Sequence, residues 1–444
     1  MSPDAEGGAT GASGARPGTH AAPRAYVTPE QAGLGGVLKE RPEDFLVDEI
    51  PLYQPSGEGE HIYLLVQKRG MSTMEMVQVV ARHFGVRRAA VGYAGLKDKR
   101  AITRQVVSVH TPGKTFHEFP MLQHESVQVL WADMHANKLR PGHLKGNRFS
   151  VKIRGVPPTG VLTARAVLER LRATGVPNRI GEQRFGLLEN NHLVGRELVK
   201  GDFEAAAREL LGASAEHPEM NTEARALFAE GRFREALMKY PPGARTELIV
   251  LNGLSQGLDA KRAFMRLDEP VLRYYLSAFQ SAVFNDVLDA RVIDGTLGTL
   301  RTGDLAFKHI NGAVFAVDEP TQADPATAQR LATFEISPSG PMWGASMPLA
   351  SGVVGEAESA ALARVGVTPA DLAAFDLRAR GTLEGKRRPL RVPLIDPEVE
   401  GGVDEHGAYV RCAFELPRGS FATVVMREVM KPARERDADA EEGA

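Results

Sequence analysis

The most informative stretch of the chain is VGYAGLKDKRAITRQ, which runs from Val91 to Gln105. It contains Asp98, the only acid between Val86 and Ser108, and the cations around that acid are Arg87, Arg88, Lys97, Lys99, Arg100 and Arg104. Nearby positive charges favour the ionised form of a carboxyl group. The pattern therefore describes an anionic nucleophile in a cationic setting. A solvated turn between two strands, with an aspartate that bonds to its own backbone, would give the same spacing.

The segments around this stretch predict a mixture of strands and helices. A capping box at Ser72 and Glu75 begins a helix that Gly85 ends, and a long amphipathic helix begins at Pro270 and runs to about Arg291. Interleaved helices and strands indicate an α/β or α+β class. Strands are predicted at Glu60–Lys68, Ile102–Val109, Ser126–Trp131, Phe149–Arg154, Tyr409–Glu415 and Phe421–Met426.

A second basic stretch lies between Lys138 and Arg154, which holds six Lys or Arg residues and no acid. Such a density suits an electrostatic track for phosphates, with Asn147 as an amide for base edges and Phe149 as a stacking face. Lysines that protect the edge of a sheet would give the same density. A third basic run, 378–391, is also compatible with a solvated loop.

The composition describes an ordinary globular protein. The 444 residues suggest two or three domains, and 25% of them are charged with a net charge of −2. That net charge argues against a nucleic-acid binder, which usually has a basic excess. However, a phosphate responds to charges within about 8–10 Å, so we expect a segregated surface, basic around Asp98 and acidic away from it.

Several classes of protein are excluded or disfavoured by missing motifs. The single cysteine, Cys412, excludes an intrachain disulfide framework and a cysteine-based metal site, and indicates a reducing, cytoplasmic compartment. No HExxH or complete nucleotide-binding glycine pattern is present. No apolar run approaches the roughly 20 residues of a membrane span. The compositions of 1–25 and 433–444 predict disordered tails.

Several sequence blocks, in order along the chain, closely resemble the TruD family of tRNA pseudouridine synthases from about Lys39 to Met430. They are KERPEDF (39–45), AGLKDKRAITRQ (94–105), GHLKGNRF (142–149), PNRIGEQRFG (177–186), SAVFN (281–285), GPMWG (340–344) and LPRGSFATVVMRE (416–428). Any one block would be a weak signal. Together they identify the family.

The resemblance implies an α+β fold, in which a pseudouridine-synthase domain with a mixed, largely antiparallel sheet carries an inserted α/β domain specific to this family. The catalytic domain would comprise 26–174 and 395–432, and the insertion 175–394. The implied reaction is the isomerisation of a uridine, typically uridine 13 of a tRNA, to pseudouridine without cofactor or metal. The implied partner is tRNA, and we expect a monomer.

The resemblance also assigns roles to single residues. Asp98 matches the catalytic aspartate and Lys39 the basic residue that pairs with it. Phe45, Asn147, Phe149 and Phe421 match positions that line the substrate pocket, although core packing would be the default for each phenylalanine. Contacts to the RNA backbone are expected from Lys97, Lys99, Arg100, Arg104, Lys145 and Arg148.

Two other functions are compatible with the residues. An RNA-binding or RNA-folding protein could use the same basic surface without isomerising a base, although binding alone gains little from a carboxylate among phosphate-binding cations. A hydrolase of glycosidic bonds would need a second acid beside Asp98. None is evident nearby in the sequence, but distant acids could fold into place.

Overall fold

A computed structural model of the chain describes residues 25–214, 217–375 and 383–431. The predicted disordered tails lie outside these residues except for residue 25, as does part of the basic run 378–391. Among the described residues, no helix combines the length and apolar character needed to cross a membrane.

The strands are distributed over the whole described chain. In chain order they are β1 (Phe45–Pro51), β2 (His61–Arg69), β3 (Val91–Tyr93), β4 (Ile102–His110), β5 (Val127–His135), β6 (Leu144–Arg154), β7 (Val176–Pro177), β8 (Leu305–Lys308), β9 (Val314–Ala316), β10 (Ile336–Met342), β11 (Lys386–Pro389), β12 (Arg391–Val392), β13 (Ile395–Asp404) and β14 (Gly407–Pro417).

Most of the helices lie between β7 and β12. In chain order the helices are α1 (Thr73–His83), α2 (Val161–Thr174), α3 (Asn191–Lys200), α4 (Phe203–Leu211), α5 (Thr222–Ala229), α6 (Phe233–Lys239), α7 (Arg245–Ser255), α8 (Ala260–Phe264), α9 (Glu269–Ile293), α10 (Glu319–Ala323), α11 (Pro325–Ala332), α12 (Gly352–Arg364), α13 (Pro369–Ala374) and α14 (Ala422–Met430).

The main sheet has eight strands in the order β13-β14-β6-β1-β4-β2-β5, with β3 paired to β4. Strands β1 and β4 run parallel, and the other pairs are antiparallel. The predicted mixed, largely antiparallel sheet in an α+β fold is thus confirmed. Its centre is β1, which lies between β6 and β4, so that these strands can bring distant parts of the chain to one place.

The predicted helices form for the expected local reasons. Ser72 accepts a hydrogen bond from the backbone N–H of Glu75, whose carboxylate accepts one from the Ser72 N–H, so the capping box that begins α1 is confirmed. The predicted long helix is α9, but the structure buries it on every side from Ala278 to Asp289, so the predicted amphipathic character is wrong over this stretch. The strand predictions for β2, β4, β5, β6 and β14 are confirmed to within a few residues at each end.

One strand prediction is wrong. The segment Phe421–Met426 is not extended, because Phe421 is the N-cap residue of helix α14. Ala422, Val425, Met426 and Val429 recur at helical spacing and are buried in one apolar cluster. A short apolar run with adjacent valines fits both a strand and a buried helix, and here tertiary packing selects the helix.

The two largest apolar clusters of the described residues divide the chain near residues 177 and 390. One core packs α2 and α14 against β1, β6 and β14, and the other surrounds α9 and the helices from α3 to α8. The short strands β7 and β12 pair with each other where the chain leaves the first core and returns to it. The boundaries at 175 and 394 stay a prediction, which this division supports.

Candidate active site

The loop that carries Asp98 connects β3 to β4 and is held by hydrogen bonds from four directions. The buried Lys68 ammonium donates to the Asp98 carbonyl oxygen at 2.6 Å and to that of Met71 at the same distance. The backbone N–H of Lys97 donates to the Thr73 hydroxyl oxygen at 2.8 Å. The Gln105 side-chain amide donates to the Gly95 carbonyl oxygen, and the Gly142 N–H donates to that of Ala94. The loop therefore has a defined backbone.

The structure brings Lys39 and Asp98 together. The Lys39 Nζ lies 3.0 Å from the Asp98 Oδ1, and the two side chains remain 25% and 37% exposed. Lys39 has a left-handed backbone with φ of 56°, a conformation that costs free energy in a residue other than glycine. Its ammonium also lies 4.4 Å from the centre of the Phe45 ring. The carboxylate is thus both charge-paired and open to solvent.

The predicted pocket aromatics have different environments. Phe45 on β1 and Phe149 on β6 are buried and meet edge to face, with ring centres 6.3 Å apart. Phe149 also packs against Phe414. Phe421 is 42% exposed at the start of α14. The first two rings belong to the core beneath Lys39 and Asp98, whereas Phe421 offers an accessible face.

A second lysine–carboxylate pair lies inside the protein. Glu49 on β1 is directly opposite Asn147 on β6, and the Lys97 ammonium contacts both: Nζ is 2.8 Å from the Glu49 Oε2 and 2.7 Å from the Asn147 Oδ1. The side chains of Lys97 and Glu49 are only 5% and 1% exposed. Lys97 therefore fixes the Asn147 amide from the interior and has no surface that an RNA phosphate could contact.

Lys68 shows how burial changes a charged group in this site. It follows Ile62, Leu64 and Val66 on the inward face of β2, and no part of it is exposed. This burial lowers the pKa of Lys68 to about 8, although the nearby Asp98 carboxylate favours the charged form. At neutral pH the Lys68 ammonium is still mostly protonated, but it loses its proton at a lower pH than an exposed lysine would.

Carboxylates accompany several of the predicted RNA-contacting cations. Arg104 lies 3.6 Å from Asp48, and Lys99 lies 4.0 Å from Glu75. Arg148 bonds to both Glu398 and Glu415. Lys145 and Arg100 are exposed. Basic and acidic side chains are interleaved near Asp98, so the predicted segregated surface is wrong at this scale.

No metal site is evident in the part of the chain that the structure describes, and the buried acid Glu49 is closed to solvent. No group of histidine, cysteine, aspartate and glutamate side chains there could hold a metal ion. Glu49 contacts the residue next to Asp98, but its carboxylate is sealed from solvent by Lys97. Paired-carboxylate hydrolysis therefore gains no support from Glu49.

Sequence reasoning missed the residues that hold the loop, namely Lys68, Thr73 and Gln105. One signal was present for Lys68, because period-two alternation along β2 places it on the same face as three buried apolar residues. A lysine at an inward-facing position requires polar partners, and its partners here are carbonyl oxygens. No comparable pattern marked Thr73 or Gln105.

Comparisons with known proteins agree over almost the whole chain. The family model for tRNA pseudouridine synthase D (TruD) matches residues 23–429. A relative from Syntrophotalea carbinolica is 43% identical over 91% of this chain and 98% of its own, and one from Thermus thermophilus is 37% identical over 91% and 92%. Both relatives are named tRNA pseudouridine synthase D. A crystal structure from Methanosarcina mazei assigned to the same family has a TM-score of 0.78 at 28% identity, and covers 92% of this chain and 96% of its own.

Proposed function

The chain belongs to the TruD family of tRNA pseudouridine synthases, and from this premise we propose that it isomerises a uridine of tRNA, typically uridine 13 in this family, with Asp98 as the catalytic carboxylate. The observation that carries the proposal is the contact of 3.0 Å between Lys39 and an Asp98 side chain that remains open to solvent. A substrate can reach this carboxylate while its charge and orientation are maintained.

The proposed reaction breaks the bond between the ribose C1′ and the uracil N1 and forms one between C1′ and C5. In the product N1 carries a proton that C5 has lost, so that the reaction is balanced without an oxidant or a reductant. Asp98 can assist either by attacking C1′ or by removing a neighbouring ribose proton. In both routes the carboxylate has to touch the sugar, which its exposure permits.

The side chains around Asp98 suit a flipped uracil. The ammonium of Lys97 occupies the Asn147 Oδ1, which leaves the Nδ2 donors of that amide for a carbonyl oxygen of the base. We assign the exposed ring of Phe421 to stacking on the extruded base. Phe45 and Phe149 are buried, so we assign them to the apolar support beneath the pocket.

The proposed track for the RNA backbone is narrower than the sequence suggested. Exposed Lys145, Lys99 and Arg100 are members of it. Lys99, Arg104 and Arg148 lie against carboxylates, which reduces their attraction for phosphate. Lys97 is removed from the proposed track because it is buried. The partner remains tRNA, and the expectation of a monomer remains a prediction.

The test is incubation with total tRNA followed by chemical mapping of pseudouridine. The wild-type protein should form pseudouridine at one position, and EDTA should leave the rate unchanged. Asp98→Ala should abolish product while RNA affinity changes by no more than about threefold, because the binding cations remain. Asp48→Ala is the control, since it removes another half-exposed aspartate paired with a cation. Product formation by Asp98→Ala would overturn the assignment, and RNA binding without product by the wild type would favour a binding protein.

A further inference from the structure

Leu96 exposes a large apolar side chain two residues before Asp98. Its exposure is 71%. Single exposed leucines are common on protein surfaces, so the exposure alone carries no conclusion. The position of Leu96 in the most firmly held loop of the candidate active site distinguishes it from the others.

Bonds on both sides of Leu96 fix the backbone that presents it. On the N-terminal side the carbonyl oxygens of Ala94 and Gly95 accept hydrogen bonds. On the C-terminal side the Lys97 N–H and the Asp98 carbonyl oxygen are bonded to Thr73 and Lys68. Because the neighbouring backbone cannot rearrange cheaply, the Leu96 side chain is held in solvent and cannot fold back onto the core.

Leu96 and Asp98 flank Lys97 in this loop. Lys97 is buried against Glu49 and Asn147, whereas Leu96 is exposed and the Asp98 side chain is 37% exposed. A nucleotide that reaches the Asp98 carboxylate therefore brings its neighbours in the RNA towards Leu96.

We propose that Leu96 inserts into the RNA base stack at the place that the target uridine vacates. This inference rests on the proposed function, since it requires the uridine to leave the stack to reach Asp98. Extruding a base costs a few kcal/mol of stacking and pairing, and an apolar wedge between the remaining bases offsets part of that cost. Leucine has no group to bond a base edge, so the contact tolerates any neighbouring base.

The loop also provides charges for such an insertion. Lys99 and Arg100 directly follow Asp98 and are both exposed. Their positive charges can contact phosphates beside the vacated position while Leu96 contacts the bases. The short segment from Leu96 to Arg100 thus combines an apolar wedge, the catalytic carboxylate and phosphate contacts.

The test uses a folded tRNA with 2-aminopurine placed beside the target uridine. Its fluorescence rises when stacking is lost, and it is measured in an Asp98→Ala background so that no product forms. We expect binding of Asp98→Ala to raise the fluorescence. Adding Leu96→Ala should remove most of the rise while RNA affinity falls by no more than about threefold. Leu162→Ala is the matched control, because Leu162 has the same exposure of 71% on helix α2 and lies outside the loop.

In the catalytically intact protein, Leu96→Ala should lower kcat/KM on the folded tRNA by about tenfold or more. Leu96→Met, which keeps the apolar volume, should restore most of it. An unchanged fluorescence rise with Leu96→Ala, or equal effects of Leu96→Ala and Leu162→Ala, would overturn the wedge. Absence of pseudouridine from the wild-type reaction would instead overturn the proposed function, so the two failures are distinguishable.

Discussion

The two lysine–carboxylate pairs of the candidate active site have similar lengths and opposite surroundings. Lys39 and Asp98 are 3.0 Å apart and partly open to solvent, whereas Lys97 and Glu49 are 2.8 Å apart and almost completely buried. Asp98 and Lys97 are adjacent in the chain, so one loop supplies a member to each pair. The alternating direction of its side chains sends one charge outward and the next inward.

The difference between the pairs corresponds to a division of roles. A buried pair costs desolvation and is tolerated only when hydrogen bonds satisfy both charges. Lys97 donates a hydrogen bond to Asn147 and forms an ion pair with the Glu49 Oε2, and the Glu49 Oε1 accepts a hydrogen bond from the Val106 N–H. An exposed pair is weaker, but a substrate can enter it. We therefore propose that the buried pair fixes positions and that the exposed pair supplies the reacting group.

Breaking the buried pair should have the largest effect on stability. In Glu49→Ala the Lys97 ammonium remains buried without its carboxylate, and we expect the free energy of unfolding to fall by about 3–5 kcal/mol. Urea denaturation followed by circular dichroism measures it. The double variant Glu49→Met/Lys97→Met should recover much of the loss, because it leaves no unpaired charge. A loss below about 1 kcal/mol in Glu49→Ala would show that this pair resembles a surface pair.

Lys68 gives a stability effect that depends on pH. Its folded-state pKa of about 8 lies below the ordinary 10.5, so between these values the unfolded chain binds more protons than the folded one. The penalty for burying the charge is present below pH 8 and is relieved as the pH rises to 10.5. Relative to Lys68→Met, the wild type should gain up to about 3 kcal/mol across this window. Unfolding by urea at several pH values measures the difference, and a constant difference would contradict it.

The sequence predicted the helices and strands better than it predicted the environment of each charged side chain. The capping box at Ser72 and the apolar residues of α9 lie close together in the chain, so both elements could be recognised locally. The pairing of Lys39 with Asp98 came from the family resemblance alone. It depends on a contact across 59 positions, which no local pattern encodes.

Residues of the same type have different environments where tertiary contacts determine their burial. Lys97 and Lys99 belong to the same basic run, yet one is buried against Glu49 and the other is exposed. Both were predicted to contact RNA, because the sequence does not show directly which strands pack against each residue of the loop. Phe421 was placed on a strand for the same reason, since the burial of Val425 and Met426 at helical spacing depends on a neighbouring core.

Breaking the exposed pair should affect activity more than stability. Lys39→Ala leaves the Asp98 carboxylate accessible but removes the cation that orients it, so we expect kcat/KM to fall by about ten- to a hundredfold. The free energy of unfolding should change by no more than about 1 kcal/mol. Pseudouridine formation and urea denaturation measure the two quantities.

The control for Lys39→Ala is Lys152→Ala. Lys152 is also 25% exposed, lies 2.7 Å from a carboxylate of Asp404 and 4.3 Å from the centre of the Tyr409 ring. It reproduces the surroundings of Lys39, but its carboxylate partner is Asp404 and not Asp98. Equal losses of activity in the two variants would mean that Lys39 has no particular role beside Asp98.

The smallest expected effect is on the salt dependence of RNA binding, and it should differ between an unpaired surface cation and a paired one. Lys145→Ala should weaken RNA binding and reduce its dependence on salt by about 0.7–0.9 per lost phosphate contact, the value for one released counterion. Arg148→Ala should change the slope less, because Glu398 and Glu415 already neutralise the guanidinium in the free protein. Titration of tRNA at several salt concentrations measures both slopes. Equal changes in the two slopes would show that RNA displaces the two carboxylates from Arg148. The ion pairs of Arg148 would then belong to the RNA-binding surface.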